Sequence, residues 1–138
     1  EERKFMEKAA IDAFLKQTRI ASLVTLNSDG SPNAIPLWYE WDGEKLRMFS
    51  SRNTGKVNRL TRDNRACVTV HDPVGAPEAW ITVEGIVELK DIGGRELALK
   101  LVPFYYADKK KAEQTLEVWS KKTDWILLEL TPTKIRTY

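Results

Sequence analysis

Residues 50–56, SSRNTGK, combine three hydroxyl side chains with two cations at the junction of two predicted elements. A short apolar run ends just before this stretch, and a helical pattern begins within it. The N-terminus of a helix presents unpaired backbone N–H groups and the positive end of the helix dipole, so it favours anions. Arg52 and Lys56 would add positive charge to such a site. Because an ordinary capped helix with solvated cations explains the same residues, the local pattern leaves a phosphate site and an exposed turn both open.

A second candidate lies on residues 79–90, AWITVEGIVELK, which alternate along a predicted strand. The apolar face, which we expect to fill the interior, consists of Ile81, Val83, Val87 and Leu89. The opposite face carries Trp80, Thr82, Glu84 and Ile86. An outward tryptophan beside polar groups indicates a covered surface, either a subunit interface or a site for a planar ligand. A partly exposed tryptophan near a loop fits the pattern equally well.

Hydrolytic and metal chemistry find little support in the residues. His71 is the only histidine and Cys67 the only cysteine, so a Ser–His–acid triad or a zinc set would depend on single residues. We expect His71 to be structural and Cys67 to be a buried, inert thiol. No metal site is expected and no catalytic residue is assigned; for a proton donor, Tyr39 or water is as suitable as His71.

Composition limits the class of protein. A length of 138 residues with 42% hydrophobic content favours one domain with a single sizeable core. The 22 basic and 20 acidic residues nearly cancel, so the overall charge gives no reason to expect nucleic-acid binding. The sequence has no apolar run long enough to span a bilayer and no signal-peptide pattern, so we expect no membrane association and a cytoplasmic location.

The elements that must position these residues follow from hydrophobic periodicity and turn signals. An amphipathic helix is predicted over 3–17, with its apolar positions at Phe5, Met6, Ala9, Ala10, Ala13 and Phe14. Strands are predicted over 20–27, 33–41, 45–50, 65–72 and 79–90, with a short helix over 54–63. Residues 94–120 read as helix broken at Pro103 and around Ala107-Asp108, and 125–138 as a strand or bent strand pair. Pro36 should lie at a strand edge or bulge.

Five or six antiparallel strands with tight turns and a few helices indicate a mainly β protein, a small β-barrel with peripheral helices. The order of features resembles the pyridoxamine 5′-phosphate oxidase-like, flavin-binding split-barrel superfamily. Four stretches carry the resemblance, namely IASLVTLNSDGSPNAIPLWYEWDG, FSSRNTGKVNRLTRDNRACVTV, AWITVEGIVEL and LLELTPTKIRTY. The resemblance covers nearly the whole chain and implies one domain over 1–138, a six-stranded antiparallel split barrel with Greek-key-like connections.

The resemblance also implies a homodimer that binds two cofactors, FMN or a deazaflavin coenzyme, at the subunit interface. The flavin ring would lie along Asn33, Ala34, Ile35, Pro36 and Leu37, and Ser50 and Ser51 would contact the ring or the ribityl chain. The phosphate would be held by Arg52, Thr54 and Lys56. Trp80 and Thr82 would approach the cofactor that is bound largely by the other subunit.

The expected function is that of an oxidoreductase that passes hydride between the bound flavin or deazaflavin and a small organic acceptor. Two departures from the family speak against oxidation of pyridoxamine phosphate: the longer C-terminal part is missing, and Gly55 stands where the family has an arginine. VTVHDP and LTPTKIR are closer to a small actinobacterial-type branch, some members of which use a deazaflavin. The alternatives are a non-catalytic flavin- or haem-sequestering protein on the same barrel, or an interaction protein that binds no cofactor.

Overall fold

The computed structural model describes residues 6–138, which fold as one antiparallel sheet with helices on its outside. The strands are β1 (Ala21–Leu26), β2 (Pro32–Leu37), β3 (Glu40–Trp41), β4 (Leu46–Ser51), β5 (Arg65–His71), β6 (Trp80–Lys90) and β7 (Trp125–Thr137). The helices are α1 (Lys8–Leu15), α2 (Gly55–Arg62), α3 (Gly94–Tyr105) and α4 (Lys109–Ser120). The strand order across the sheet is β2-β1-β5-β6-β7-β4-β3.

The sheet curls into a half-barrel, which confirms the predicted fold class with seven strands in place of six. The additional strand arises because residues 33–41, predicted as one strand, break at Trp38 and Tyr39 into β2 and β3. These two strands lie at opposite edges of the sheet. The prediction for Pro36 is confirmed, since it lies on the edge strand β2 opposite Ser22 of β1.

The inside of the half-barrel is filled by alternate residues of the long strands, as the pattern of β6 predicted. Ile81 and Val83 are fully buried and Val87 is nearly so, whereas Ile86 on the opposite face is 40% exposed. The register between β6 and β7 shifts at Gly85, where an added Cβ would lie 2.2 Å from the Thr131 carbonyl oxygen. This bulge bends β7, which remains one continuous strand through Thr137.

The N-terminal helix buries only part of the predicted apolar face, with Phe14 buried and Met6 packed against the core. Phe5 and the rest of residues 3–5 lie outside the described part of the chain. Ala9, Ala10 and Ala13 are exposed, and the buried side of α1 is formed by Phe14 and Leu15. The small alanine side chains offer little apolar area, so burial of the larger residues at the end of the helix sets its orientation.

Helix α3 packs against β4 and β7 and forms a second hydrophobic cluster with them, and α4 packs against α3. The buried members of this cluster are Leu97, Leu101 and Leu127, with Trp38, Phe49 and Tyr105 against them. The prediction of a break at Pro103 is wrong: α3 continues to Tyr105, because a proline in the last turn removes only one hydrogen bond. The second predicted break is confirmed, since Asp108 caps α4 by accepting from the backbone N–H groups of Lys110 and Lys111. None of the helices within residues 6–138 is long and apolar enough to cross a bilayer.

Candidate functional site

A cleft of about 500 Å³ opens where three parts of the molecule meet. They are the end of β2, the turn from β4 into α2, and the segment that leads from α4 into β7. The residues that line the cleft are Ile35, Pro36, Leu37, Trp38, Phe49, Ser50, Ser51, Thr54, Lys56, Val118, Trp119, Lys122 and Trp125. Among the described residues, those that line the cleft include two lysines and no carboxylate. The cleft is therefore apolar, aromatic and positively charged, a combination that suits a planar organic anion.

The turn from β4 into α2 is held in shape by its own hydroxyl groups. The Ser50 hydroxyl donates to the Ser51 carbonyl oxygen at 2.8 Å and lies 3.0 Å from the Thr54 hydroxyl oxygen. The Thr54 hydroxyl donates to the same carbonyl at 3.2 Å. Thr54 is the N-cap residue of α2, yet its side chain makes no capping hydrogen bond within residues 6–138. The first backbone N–H groups of α2 thus remain available to a ligand.

Lys56 is a half-buried cation that has no hydrogen bond or ion pair among residues 6–138. Burial lowers the pKa of Lys56, and repulsion from Arg59 one turn along α2 lowers it further. Arg59 is held in place because its Nε donates to the Thr25 hydroxyl at 2.7 Å. A desolvated ammonium without a counter-ion is unfavourable. A bound anion would remove this cost, so the site is electrostatically prepared for one.

Four aromatic rings form a rigid wall of the cleft: Trp38, Phe49, Trp119 and Trp125. The ring centroids of Trp119 lie 5.6 Å from Trp38 and 5.5 Å from Trp125, in tilted and edge-on arrangements that favour attraction. Trp38 also stacks on Tyr105 of α3 at 4.6 Å. Because each ring is held by at least two others, the wall presents a preorganised apolar surface.

Two buried side-chain polar atoms have no hydrogen-bond partner within the described residues, the Trp125 indole nitrogen in this wall and the Asn33 oxygen on β2. A buried polar group without a partner costs about 1–3 kcal/mol. Trp125 lines the cleft, so an acceptor atom of a bound molecule, reached after a small adjustment of the ring, would relieve this cost.

The structure brings together seven of the residues that the sequence predicted for cofactor binding. They are Ile35, Pro36, Leu37, Ser50, Ser51, Thr54 and Lys56. Asn33 and Ala34 belong to the same strand β2 but do not line the cleft, and Ala34 is exposed.

Arg52 does not line the cleft. Its guanidinium donates to Asp91 at 2.7 Å, and its backbone N–H donates to the Asp124 carbonyl. The side chain of Arg52 is 41% exposed, so it lies at the surface beside the turn from β4 into α2 and its charge is already paired.

Trp80 and Thr82 lie away from the cleft of their own chain, on the outward face of β6. Trp80 stacks on Tyr138 with ring centroids 5.9 Å apart, and the hydroxyls of Thr82 and Thr69 lie 3.0 Å from each other. Their predicted approach to the cofactor bound by a second subunit stays a prediction.

The remaining candidates for chemistry also lie outside the cleft. His71 is exposed, and its Nδ1 lies 2.9 Å from the Asp72 carbonyl oxygen. Tyr39 donates its hydroxyl to the Gln17 carbonyl at 3.1 Å, and burial raises the pKa of Tyr39. Cys67 is half-buried, not fully buried as expected, because it stands on the outward face of β5 opposite Glu84. Burial still raises the pKa of the Cys67 thiol, with a contribution from the Glu84 charge.

Sequence reasoning missed the wall contributed by the C-terminal part of the chain. Four of the lining residues follow the turn from β4 into α2 by more than sixty positions, namely Val118, Trp119, Lys122 and Trp125. One signal was present in the sequence: Trp119, Lys122 and Trp125 recur at every third residue. A cation between two tryptophans at this spacing is a pattern worth testing as a site.

The antiparallel half-barrel with its outer helices is a split barrel. The family model of pyridoxamine 5′-phosphate oxidase matches residues 7–138, and the chain belongs to this family. Among curated protein sequences, none matches this chain significantly.

Similar solved structures share the fold. An F420 reductase superposes with a TM-score of 0.72 at 24% identity, over 91% of this chain and 94% of that one. A conserved hypothetical protein from Mycobacterium tuberculosis has a TM-score of 0.77 at 21% identity, over 100% of this chain and 89% of that one. A heme-binding protein from Mycobacterium smegmatis has a TM-score of 0.67 at 20% identity, over 99% of this chain and 55% of that one.

Proposed function

We propose that this protein is an oxidoreductase that binds FMN or a deazaflavin coenzyme in the cleft and exchanges hydride with a small organic acceptor. One observation carries the proposal: the half-buried ammonium of Lys56 has no acidic partner among the described residues and stands at the open N-terminus of α2. Membership of the pyridoxamine 5′-phosphate oxidase family supports a phosphate-bearing cofactor at this position.

The residues of the cleft fit such a cofactor in both of its parts. Lys56, Thr54 and the first N–H groups of α2 would hold the phosphate. The apolar side chains of β2, together with Trp38 and Phe49 of the aromatic wall, would hold the tricyclic ring. Because β2 pairs only with β1 in the described sheet, its other edge leaves backbone groups for hydrogen bonds to the ring.

A bound flavin or deazaflavin supplies the hydride chemistry itself. The chain supplies anchoring by Lys56, orientation of the ring by Trp38 and Phe49 of the rigid aromatic wall, and exclusion of water by apolar side chains. No residue of the cleft lining is a carboxylic acid or a histidine, so we assign no general acid to the chain.

The proposal includes a homodimer, and the outward face of the sheet supports it. A surface groove of about 470 Å³ there is lined mainly by small and apolar side chains of β1, β5 and β6, including Val24, Leu26, Cys67 and Ile86. A second copy of the chain would cover this face and bring Trp80 and Thr82 towards the partner's cleft. Sedimentation equilibrium of the purified protein would show a species of twice the monomer mass.

The first experiment is the visible spectrum of the purified protein, followed by mass spectrometry of any released cofactor. A flavin or deazaflavin spectrum, or a rise in melting temperature when FMN or the deazaflavin is added, supports the proposal. A Soret band would point to the haem-sequestering alternative. A colourless protein that binds neither FMN nor the deazaflavin would refute the oxidoreductase proposal.

The phosphate assignment is tested by Lys56→Ala. We expect FMN affinity to fall by about 1–3 kcal/mol, or roughly 5- to 150-fold, because a charge-assisted hydrogen bond is lost. Fluorescence titration with FMN measures the change. Arg62→Ala is the matched control, since it removes an exposed cation from the same helix outside the cleft. Equal affinities for the wild type and Lys56→Ala would place the phosphate elsewhere.

A further inference from the structure

The cleft contains a second lysine that belongs to a different element from the first. Lys122 follows α4, and its ammonium lies 5.4 Å from the centroid of the Trp125 ring. The same ammonium pairs with Asp124 at 2.7 Å. Lys122 lines the cleft but Asp124 does not, and the Asp124 side chain is 42% exposed. An ammonium has three donors, so the pair with Asp124 holds Lys122 in position and leaves donors for a ligand.

The surroundings of the two lysines differ. Lys56 is accompanied by hydroxyl groups and the N-terminus of α2, which are the groups that bind a phosphate. Lys122 is accompanied by Trp119 and Trp125 and by Val118, whose side chain is largely exposed. An anion at Lys122 would therefore carry an apolar, flat body beside its charge.

A single phosphate does not need both lysines, because Lys56 with Thr54 and the helix N-terminus already forms a complete anion site. Building on the proposed function, we propose that Val118, Trp119 and Lys122 form the acceptor subsite. It takes a flat, apolar organic anion, with a carboxylate at Lys122 and the body against Trp119. An acidic group on the cofactor would also pair with Lys122. The experiment below distinguishes a carboxylate of the acceptor from an acidic group of the cofactor.

The probes are trans-cinnamate and its neutral counterpart cinnamamide, which have the same shape and differ in charge. Binding is followed by tryptophan fluorescence in the cofactor-free protein and by the visible spectrum of the FMN-loaded protein. We expect the wild type to bind cinnamate about two- to fivefold more tightly than cinnamamide, the effect of one partly exposed charge pair. Lys122→Gln should abolish this preference and leave FMN affinity within about twofold of the wild type.

Two further variants control for surface charge and for folding. Lys121→Gln removes the neighbouring cation, which pairs with Glu117 and does not line the cleft, and should keep the cinnamate preference. Val118→Asp alters an exposed position of the lining, so the fold should survive, and its negative charge should weaken cinnamate binding but spare cinnamamide. Thermal melts of all variants verify that they are folded.

Each result decides the proposal. A wild type without a cinnamate preference, or a preference that survives Lys122→Gln, overturns it. A loss of FMN affinity in Lys122→Gln that exceeds the loss of cinnamate affinity assigns Lys122 to the cofactor and also overturns it. Failure of the wild type to bind either FMN or a deazaflavin refutes the proposed function instead, and the cinnamate preference of the cofactor-free protein then decides whether an anion site exists.

Discussion

Strand β4 begins among charges that neutralise one another and ends beside charges that do not. At its start, Arg47 donates to Glu129 of β7 at 3.0 Å, and Lys45 and Lys90 reach the same carboxylate at 3.2 and 2.9 Å. At its end, the chain turns into α2 and the cleft, where Lys56 has no acidic partner within residues 6–138. The two groups of charges lie near opposite ends of one strand, and only the first group is neutralised.

The Glu129 cluster is structural because Glu129 is only 4% exposed and its carboxylate is paired with three cations. Hydrogen bonds from Lys90, Arg47 and Lys45 lower the pKa of Glu129 to about 2. The cleft shows the reverse, since burial and Arg59 lower the pKa of Lys56 and no anion opposes them. A protein that leaves a half-buried cation unpaired has a position at which binding an anion gains free energy.

The largest expected effect comes from removing the negative charge of Glu129 from its cluster of cations. Glu129→Gln should lower the free energy of unfolding by about 2–4 kcal/mol, because it leaves three cations around a neutral group. Urea denaturation at neutral pH measures this change. Glu88→Gln is the control, since that carboxylate is exposed, contacts Lys90 at 3.9 Å and should alter stability by less than about 0.5 kcal/mol.

The Glu129→Gln substitution should also change how the free energy of unfolding depends on pH. The pKa of Glu129 is lowered from 4.5 to about 2, so its contribution is fully present above pH 4.5. Wild-type stability should fall as the pH decreases from 4.5 towards about 2, and the fall should be smaller in Glu129→Gln. Parallel losses of stability in both proteins would show that Glu129 is not the group responsible.

A smaller effect is expected when the unpaired cation is titrated. Phosphate binding needs the protonated form of Lys56, and the pKa of Lys56 is lowered from 10.5. FMN affinity should therefore decline as the pH rises from about 7.5 towards the lowered pKa, by no more than the factor lost in Lys56→Ala. Fluorescence titrations across this range measure the decline. A flat profile in the wild type, or the same slope in Lys56→Ala, would contradict the assignment.

The smallest effect is expected at Arg52, which the family resemblance places at the phosphate and the structure pairs with Asp91. Arg52→Ala should weaken FMN binding by less than about 0.5 kcal/mol, because the side chain is largely solvated and already paired. Isothermal titration at low and moderate salt measures this difference. A loss as large as that of Lys56→Ala would show that Arg52 leaves Asp91 when the phosphate binds.

The hydroxyls and Lys56 lie in one turn between a strand and a helix, so local chemistry marked them as one candidate anion site. Ile35, Pro36 and Leu37 were predicted only through the family resemblance, since no local pattern connects them to that turn. Val118, Trp119 and Lys122 reach the cleft only because α4 packs against α3 and α3 packs across β4 and β7, a tertiary arrangement that periodicity does not contain.

The errors in the fold have a similar cause. Residues 33–41 were predicted as one strand between two turn signals, yet they cannot remain one strand because β2 and β3 belong to opposite edges of the sheet. Pro103 breaks a helix by local rules, but it falls so near the end of α3 that the helix tolerates it. In both places the packing of distant elements outweighed the preference of the local sequence.

The tryptophans of the aromatic wall would report occupancy of the cleft through their fluorescence. Three of the protein's five tryptophans line the cleft, and indole emission overlaps the absorption of flavins and deazaflavins. Excitation energy absorbed by these rings would pass to a cofactor held a few ångströms away. Cleft occupancy would thus be recorded as a loss of intrinsic emission, without a label.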